Sequence, residues 1–366
     1  MSEDSKPPKI VVAGAGSVGC FVGGVIASKG GDVRFLARSR IASMLLTHGL
    51  TVTDLDGMHQ RIAVNDLKLS TDPTILAGAD IILVTTKSDA TTEIADLIKQ
   101  FAQPSAKVVS LQNGVRNAET LRTQLPGYDV RAGVVPFNVI TAGDGRFHRG
   151  VEGKIAIEAG DGDLAATLTT PSLRFYESDA IANIQWGKLL INLNNALNAL
   201  SGLPLREQLL DRAWRRVFAD QIREALPALN AKGIKPISPF PVPFALFATL
   251  LNLPTRIYKI IAATSLRVDP KARSSMWEDL QRRRKTEIDE LQGAVIAICE
   301  EGGFSSALNQ RVLSHIRAAE TVNAGSPALT PEAVRNPETV RGEDNTPGSD
   351  DAPAETVLNK DDAADV

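Results

Sequence analysis

The sequence predicts an α/β first half, in which helices cover both faces of a parallel sheet, followed by an all-helical second half. Three observations lead to this prediction. Short apolar runs alternate with helical patterns over the first hundred residues, a few short strands follow Thr141, and helical periodicity dominates from about Asp179 to Ala319. We therefore expect the boundary between the two halves near residue 180.

Length and composition support two folded domains. The chain has 366 residues, of which 43% are hydrophobic and 23% charged, too many for one typical domain and too apolar for a disordered chain. A net charge of −3 argues against a protein held on nucleic acid by its overall charge. Two cysteines and four histidines without ligand-like spacing indicate neither a disulfide framework nor a metal site. With no signal-like amino terminus, we expect a reducing, cytoplasmic location.

Local patterns predict the individual elements of the first domain. Asp56-Gly57 predicts the turn of a hairpin between Leu50 and Ser70, and Ser17 to Lys29 is predicted to form the first helix. The expected strands of the parallel sheet are Lys9–Gly14, Asp32–Ala37, Ile81–Thr85 and Lys107–Leu111.

Four segments are expected along the chain. They are a polar extension (1–8), a Rossmann-like domain (9–180), a helical domain (181–325) and an acidic disordered tail (326–366). Residues 331–366 carry ten acidic and three basic residues and no aromatics. The uncharged stretch from Pro236 to Thr255 contains five prolines, which favours an internal or partner-contacting helix over a membrane span. A homodimer through this stretch and a monomer that buries it are equally consistent with the pattern.

The strongest local signal is Gly14-Ala-Gly16-Ser17-Val18-Gly19, between a predicted strand and a predicted helix. In this setting Gly14 permits a tight turn, Gly16 lets a pyrophosphate approach the backbone, and Gly19 allows the helix to pack on the strand. The amides at the helix start, including those of Ser17 and Val18, would hold the anion. We expect a bound dinucleotide; the alternative is a glycine turn that binds no ligand.

The end of the second strand predicts which dinucleotide binds. Enzymes that use NAD usually carry Asp or Glu there, whereas this chain has Arg38 and no nearby carboxylate. A guanidinium can bind a 2′-phosphate with two hydrogen bonds, so NADPH is favoured over NADH. The plainer alternative is an exposed arginine at a strand end.

Two further strand ends face the same crevice, since ligands in such sheets lie beyond the carboxyl ends of the strands. Lys87 could meet a phosphate or a carboxylate, and Asn113 could bind the cofactor or the substrate. An Asn-Gly pair is also common as a simple turn, so the position of Asn113 alone leaves both interpretations open.

In the helical half, Lys188, Asn192 and Asn195 fall on one helical stripe, with Asn198 at its edge. Buried amides and a lysine on an otherwise apolar helix need polar partners, and a small polar ligand would supply them. The alternative is a solvated face. Ser275 is expected either to cap the next helix, in a capping box with Glu278, or to bind a substrate carboxylate.

Taken together, the motifs resemble those of the ketopantoate reductase (2-dehydropantoate 2-reductase) family over residues 8–320. Their order is Gly14-x-Gly16-x-x-Gly19, Val84-Thr-Thr-Lys87, Gln112-Asn113-Gly114, Trp186-x-Lys188-x-x-x-Asn192, Ser274-Ser275-Met-x-x-Asp279 and Thr286-Glu287-Ile-Asp289. The resemblance implies NADPH-dependent reduction of a small 2-keto acid, ketopantoate, to pantoate in pantothenate synthesis.

The resemblance also implies roles for individual residues. Lys188 would be the general acid and Glu287 its support, Asn113 and Asn192 would position cofactor and substrate, and Ser275 would bind the carboxylate. One position departs from the family: Ala196 replaces an asparagine that contacts the distal hydroxyl of the substrate. Asn195 or Asn198 is expected to substitute; otherwise the substrate is a different 2-keto acid. A dinucleotide sensor without catalysis is the remaining alternative.

Overall fold

The computed structural model describes residues 7–263 and 271–336. Twelve strands are formed in these residues: β1 Lys9–Ala13, β2 Asp32–Leu36, β3 Leu50–Asp54, β4 His59–Ile62, β5 Lys68–Ser70, β6 Ile81–Val84, β7 Lys107–Ser110, β8 Asp129–Val134, β9 Val139–Thr141, β10 Arg146–Arg149, β11 Ile155–Glu158 and β12 Phe175–Ser178. The α-helices of the same residues are α1 Ser17–Ala27, α2 Ser39–His48, α3 Thr91–Phe101, α4 Asn117–Gln124, α5 Leu164–Leu168, α6 Ile181–Ser201, α7 Leu205–Leu210, α8 Arg212–Ala231, α9 Phe244–Leu251, α10 Thr255–Ile261, α11 Ser275–Gln281, α12 Ile288–Gly302, α13 Ala307–Val322 and α14 Pro331–Arg335.

The main sheet has eight strands in the order β12-β11-β8-β7-β6-β1-β2-β5. All neighbours are parallel except β8 and β11, which pair antiparallel. The four strands predicted for this sheet are present, each ending one residue earlier than predicted, and α1 ends two residues earlier, at Ala27. Because β1, β6 and β7 are adjacent, their carboxyl ends lie side by side and open into one crevice.

A second sheet, ordered β4-β3-β10-β9, packs on α1. It contains the predicted hairpin, because β3 and β4 pair antiparallel around the turn at Asp56-Gly57. A buried ion pair joins the sheet internally: Arg149 donates to Asp54 at 2.7 Å and lies over the rings of Phe21 and Phe137.

The helical half is built around α6, which begins at Ile181. Its buried leucines pack with apolar side chains of α8, α12 and α13 into one core. The proline-rich stretch forms neither helix nor strand up to Pro243, and then α9 packs on α8 through Phe244, Ala248 and Leu251. None of the described helices is long and apolar enough to cross a membrane.

The predicted start of the disordered tail, at residue 326, is wrong. Residues 326–336 lie on the helical domain: the N–H of Leu329 donates to the carbonyl of Leu200, Val334 is fully buried, and Arg335 pairs with Asp220 at 2.6 Å. These apolar and charged contacts hold α14 in place although its surroundings in the sequence are acidic. The remainder of the predicted tail, and residues 1–6 of the predicted extension, lie outside the described residues.

Candidate active site

The glycine turn lies at the carboxyl end of β1. Gly14 has φ of +105°, and a Cβ on it would stand 2.7 Å from Thr86 Cγ2 and 2.8 Å from the Thr86 nitrogen. A Cβ on Gly19 would collide with Thr85, with the carbonyl of Gly14 and with Val12. The turn and the close helix–strand contact expected of these two glycines are therefore both present.

Gly16 differs from these two, because no atom lies within 4 Å of the place its Cβ would occupy. The turn is thus open at the point where a phosphate group would approach the backbone. Ser17 and Val18 begin α1 directly after it, and the Ser17 hydroxyl shares a 2.9 Å hydrogen bond with that of Thr141 on the second sheet.

Arg38 lies where β2 leads into α2. It is the N-cap residue of α2, and its carbonyl accepts from the N–H groups of Ile41 and Ala42. Its side chain is exposed and makes no hydrogen bond to another described residue. As the sequence indicates, no carboxylate follows the end of β2; the acidic residue of that strand, Asp32, stands at its opposite end and pairs with Lys68.

The centre of the crevice is a chain of three side chains. The Lys188 ammonium on α6 donates to Asn113 Oδ1 at 2.8 Å, and Asn113 Nδ2 donates to Glu287 Oε2 at 3.0 Å. Asn113 follows β7, whereas Lys188 and Glu287 belong to the helical half. The Asn113 amide thereby joins a cation and an anion of one domain through a side chain of the other.

The turn that carries Asn113 is held from behind by buried hydrogen bonds. Asn117 Nδ2 donates to the Asn113 carbonyl at 2.6 Å, and the Gln112 side chain bonds Ser110 and Thr91 at 3.0 and 2.8 Å. Gly114 completes the turn with φ of +90°. Asn113 is therefore more than a simple turn residue, the alternative that its position in the sequence left open.

Burial makes Lys188 a stronger acid than an exposed lysine. Removal from water lowers the pKa of this lysine to about 8, and the negative charge of Glu287 opposes the shift. An amine with such a pKa is largely protonated at neutral pH yet releases its proton more readily than an exposed lysine. That is the property of an effective general acid.

The polar stripe of α6 faces the same crevice. Lys188 and Asn192 line a small pocket beside Asn113, and Asn192 and Asn195 line an adjoining one with Ser275 and Glu287. Within the described residues, the amides of Asn192 and Asn195 make no side-chain hydrogen bond. The stripe is thus half-buried against the crevice, and its two free amides are available to a ligand.

The predicted cap at Ser275 is wrong. Ser274 is the N-cap of α11, its hydroxyl accepting from the N–H of Trp277 at 3.1 Å. The N–H of Ser274 also donates to the buried Asn198 Oδ1 at 2.8 Å, which holds Ser274 at that position. Ser275 is left exposed on the pocket wall, the placement that its second predicted role requires.

The side chain of Asn198 is occupied by hydrogen bonds within the helical domain. It is fully buried, and besides Ser274 it bonds the carbonyl of Leu203 at 3.0 Å. Ala196 is also fully buried within the helical core, away from both pockets. Of the two candidates to replace the missing asparagine, only Asn195 lies on a pocket.

Lys87 is bonded across the domains rather than free. Its ammonium donates to Asp279 Oδ2 at 2.9 Å and to the carbonyl of Lys285 at 3.0 Å. Asp279 is 7% exposed, also pairs with Arg284 at 2.8 Å, and lines the pocket with Ser275. No role for Asp279 was predicted, because it appears in the quoted motif only as a matching residue.

A second interdomain contact, made by Arg116, was also not predicted from the sequence. Arg116 donates to the carbonyl of Asp289 at 2.8 Å and to Glu290 Oε1 at 3.0 Å. The acidic residues around Glu287 were the available hint of this contact. The sequence does not distinguish those that are solvated from those that have a function. In the described part of the chain, no group of three or more His, Cys, Asp or Glu residues could hold a metal ion.

Profiles of one protein family match both halves of the chain. The profile described as ketopantoate reductase PanE/ApbA matches residues 10–162, and that of its C-terminal domain matches residues 180–320. The chain belongs to the ketopantoate reductase family. The resemblance inferred from the motifs is confirmed, and so is the fold class, a sheet domain of Rossmann type followed by a helical domain.

Individual relatives agree with the profiles. A 2-dehydropantoate 2-reductase of Archaeoglobus fulgidus is 27% identical over 330 residues, covering 86% of this chain and 98% of the relative. The crystal structure of a PanE/ApbA family ketopantoate reductase from Ralstonia eutropha matches with a TM-score of 0.74 at 30% identity, covering 86% of this chain and 99% of the other. A D-mandelate dehydrogenase, solved with NADH and anilino(oxo)acetate, matches with a TM-score of 0.71 at 19% identity over the same shares, which shows a common fold.

Proposed function

We propose that the protein reduces ketopantoate to pantoate with NADPH, with Lys188 as the general acid, and so acts in pantothenate and coenzyme A biosynthesis. The observation that carries the proposal is the Lys188–Asn113–Glu287 chain in the crevice between the glycine turn and the polar stripe of α6. A half-buried ammonium with a carboxylate two hydrogen bonds away suits proton transfer to a developing alkoxide.

The crevice fits a phosphorylated dinucleotide. Gly16 leaves open space at the turn, the start of α1 presents backbone N–H groups, and Arg38 has an exposed guanidinium without a described partner. We assign the pyrophosphate to the turn of Gly14, Gly16, Ser17, Val18 and Gly19, and the 2′-phosphate to Arg38. The cofactor, when bound, supplies the hydride that reduces the ketone carbon.

Lys87 is the least direct of the proposed cofactor contacts. Its ammonium is engaged by Asp279 and Lys285. An ammonium has three donors, so one N–H of Lys87 remains for a phosphate or carboxylate at the crevice. Asn113 is proposed to contact both cofactor and substrate, since it stands between the two pockets.

The residues of this chain then act on the substrate. The free N–H donors of Lys188 bond the ketone oxygen and protonate it as negative charge develops there. Glu287 keeps the ammonium charged in surroundings that lower its pKa. Ser275, Asn192 and Asn195 border the adjoining pocket, where a hydroxyl and two free amides would bind the carboxylate and the distal hydroxyl.

A second candidate function is the reduction of a different 2-keto acid. It is favoured by Ala196, which lies in the core and leaves the distal contact to Asn195. If Asn195 does not bind a 4-hydroxyl, the site has no reason to prefer ketopantoate over 2-keto acids that lack that group.

A spectrophotometric assay of NADPH consumption with ketopantoate and with 2-keto acids lacking the 4-hydroxyl tests both candidates. A preference for ketopantoate of tenfold or more in kcat/KM supports the first, and equal or better turnover of the others supports the second. Tight NADPH binding with no turnover of any of them would refute both and favour a sensor without catalysis.

Exposed apolar side chains and the state of the cysteines bear on assembly and location. We propose a homodimer in the cytoplasm, because exposed Leu246, Ile257 and Ile260 lie on α9 and α10, and both cysteines are free and buried. Light scattering at micromolar concentration should give twice the chain mass, whereas the mass of one chain would contradict the dimer.

A further inference from the structure

Two interdomain contacts with the same spacing connect the turn after β7 to the first turn of α12. Asn113 donates to Glu287, and three residues further along both segments Arg116 donates to Glu290 at 3.0 Å. Arg116 reaches the backbone as well, through the carbonyl of Asp289 at 2.8 Å. The contact between Asn113 and Glu287 is thus accompanied by an outer ion pair made by the same two segments.

Gly114 lies between the two contacts and packs directly on Glu290. A Cβ on Gly114 would stand 3.2 Å from both the Cβ and the Oε2 of Glu290. That Oε2 is buried without a hydrogen-bond partner, while Arg116 is half exposed. The segments therefore approach as closely as glycine permits, and Arg116 is the described side chain that neutralises the Glu290 carboxylate.

The first turn of α12 couples the outer pair to the inner one. Glu287 is the N-cap of α12, and the N–H of Glu290 closes the turn on the Glu287 carbonyl at 3.1 Å. A displacement of Glu290 therefore displaces Glu287.

From this geometry we propose that Arg116 and Glu290 are positioning residues for the proton-donor site. They fix the first turn of α12 so that Glu287 remains bonded to Asn113 beside Lys188. The inference rests on the proposed function, in which Lys188 protonates the substrate.

Several charged groups face this part of the crevice. From α12 the carboxylate of Glu287 acts on Lys188. From α11 comes Asp279, which is already paired with Lys87 and Arg284. Without the ion pair between Arg116 and Glu290, Glu287 is fixed less firmly beside Asn113. Its negative charge then stabilises protonated Lys188 less.

The variants Arg116→Ala and Glu290→Gln test the proposal, because they remove opposite charges. A direct electrostatic effect on Lys188 would move its titration in opposite directions, upward when Arg116 is lost and downward when Glu290 is lost. A positioning effect moves both downward. A partly exposed ion pair contributes only a modest free energy. We therefore expect kcat at pH 7.5 to fall about threefold to fivefold in each variant, with KM for NADPH within about twofold of wild type.

The double variant and two controls complete the kinetic test. The double variant should be no slower than the slower single variant, because the two residues act as one unit. Arg116→Lys, which keeps the charge, should recover part of the loss. Lys232→Ala, which breaks an exposed ion pair with Glu301 elsewhere on the helical domain, should leave the pH profile unchanged.

A readout without substrate separates this proposal from the proposed function. The rate at which an amine-specific reagent labels Lys188, followed by mass spectrometry against pH, gives its titration midpoint directly. Lower midpoints in both variants support positioning, and unchanged or oppositely shifted midpoints overturn it. If the wild-type protein turns over no 2-keto acid, the proposed function fails while the labelling result still decides the role of Arg116 and Glu290.

Discussion

Replacing Glu287 with glutamine tests the electrostatic basis of the proposed mechanism. Glutamine can still accept the hydrogen bond from Asn113, so the change removes a charge and leaves the shape. Two hydrogen bonds of 2.8 and 3.0 Å separate the Lys188 ammonium from the Glu287 carboxylate. Charges roughly 6–8 Å apart attract by about 2–3 kcal/mol at an effective dielectric constant of about 20.

That attraction stabilises protonated Lys188, so its loss lowers the pKa of the lysine from about 8 by about one to two units. Reduction requires the protonated amine, and kcat therefore falls as pH rises through this pKa. In the Glu287→Gln variant the fall should begin at correspondingly lower pH. At pH 7 wild-type Lys188 is mostly charged, while in the variant the protonated, active form should decrease by about twofold to tenfold through deprotonation alone.

The measurement is kcat with saturating NADPH and keto acid between pH 5.5 and 9.5. Glu301→Gln, the same substitution near the other end of α12, serves as the control and should leave the profile unchanged. If Glu287→Gln kept its basic limb near pH 8, Glu287 would not support the charge of Lys188, and the argument from the three-residue chain would be wrong.

Four further outcomes follow from the geometry. Lys188→Ala should lower kcat by at least ~100-fold, the usual range for general acid–base catalysis, and a variant with full activity would remove Lys188 from that role. Arg38→Ala should raise KM for NADPH and leave KM for NADH nearly unchanged; an equal rise in both would contradict the 2′-phosphate assignment. Asn195→Ala should lower kcat/KM for ketopantoate by ~10-fold or more, with little effect on 2-keto acids that lack the 4-hydroxyl, and equal losses would argue against a distal contact. Gly187→Ala should lower the free energy of unfolding, measured in urea, by about 1–3 kcal/mol, because its Cβ would collide with the backbone carbonyl of Ile237; unchanged stability would mean that this segment moves aside freely.

Elements that are encoded by neighbouring residues are predicted well from the sequence. The strand, glycine turn and helix from Lys9 to Ala27 are encoded within a few residues, so β1 and α1 differ from prediction only at their ends. The helical stripe of Lys188, Asn192 and Asn195 follows from periodicity alone, and all three residues border the crevice.

The features that the sequence did not reveal are contacts between distant residues. Asn113 and Glu287 are 174 positions apart, and Lys87 and Asp279 are 192 apart, so only the docking of the two halves brings them together. The cap residue Ser274 is held in place by Asn198, which lies 76 positions earlier. Periodicity and spacing describe one element at a time and carry no information about such partners.

The hydrogen bonds of Asn113 give its amide a fixed direction. An ammonium can only donate and a carboxylate can only accept, so a half-turn about the last side-chain torsion would face like with like at both ends. Aspartate at this position would oppose Glu287 with a second anion, and leucine would leave two half-buried charged groups without this partner. The crevice thus requires a side chain that accepts through one atom and donates through another, and asparagine is the shortest residue with such a pair of atoms.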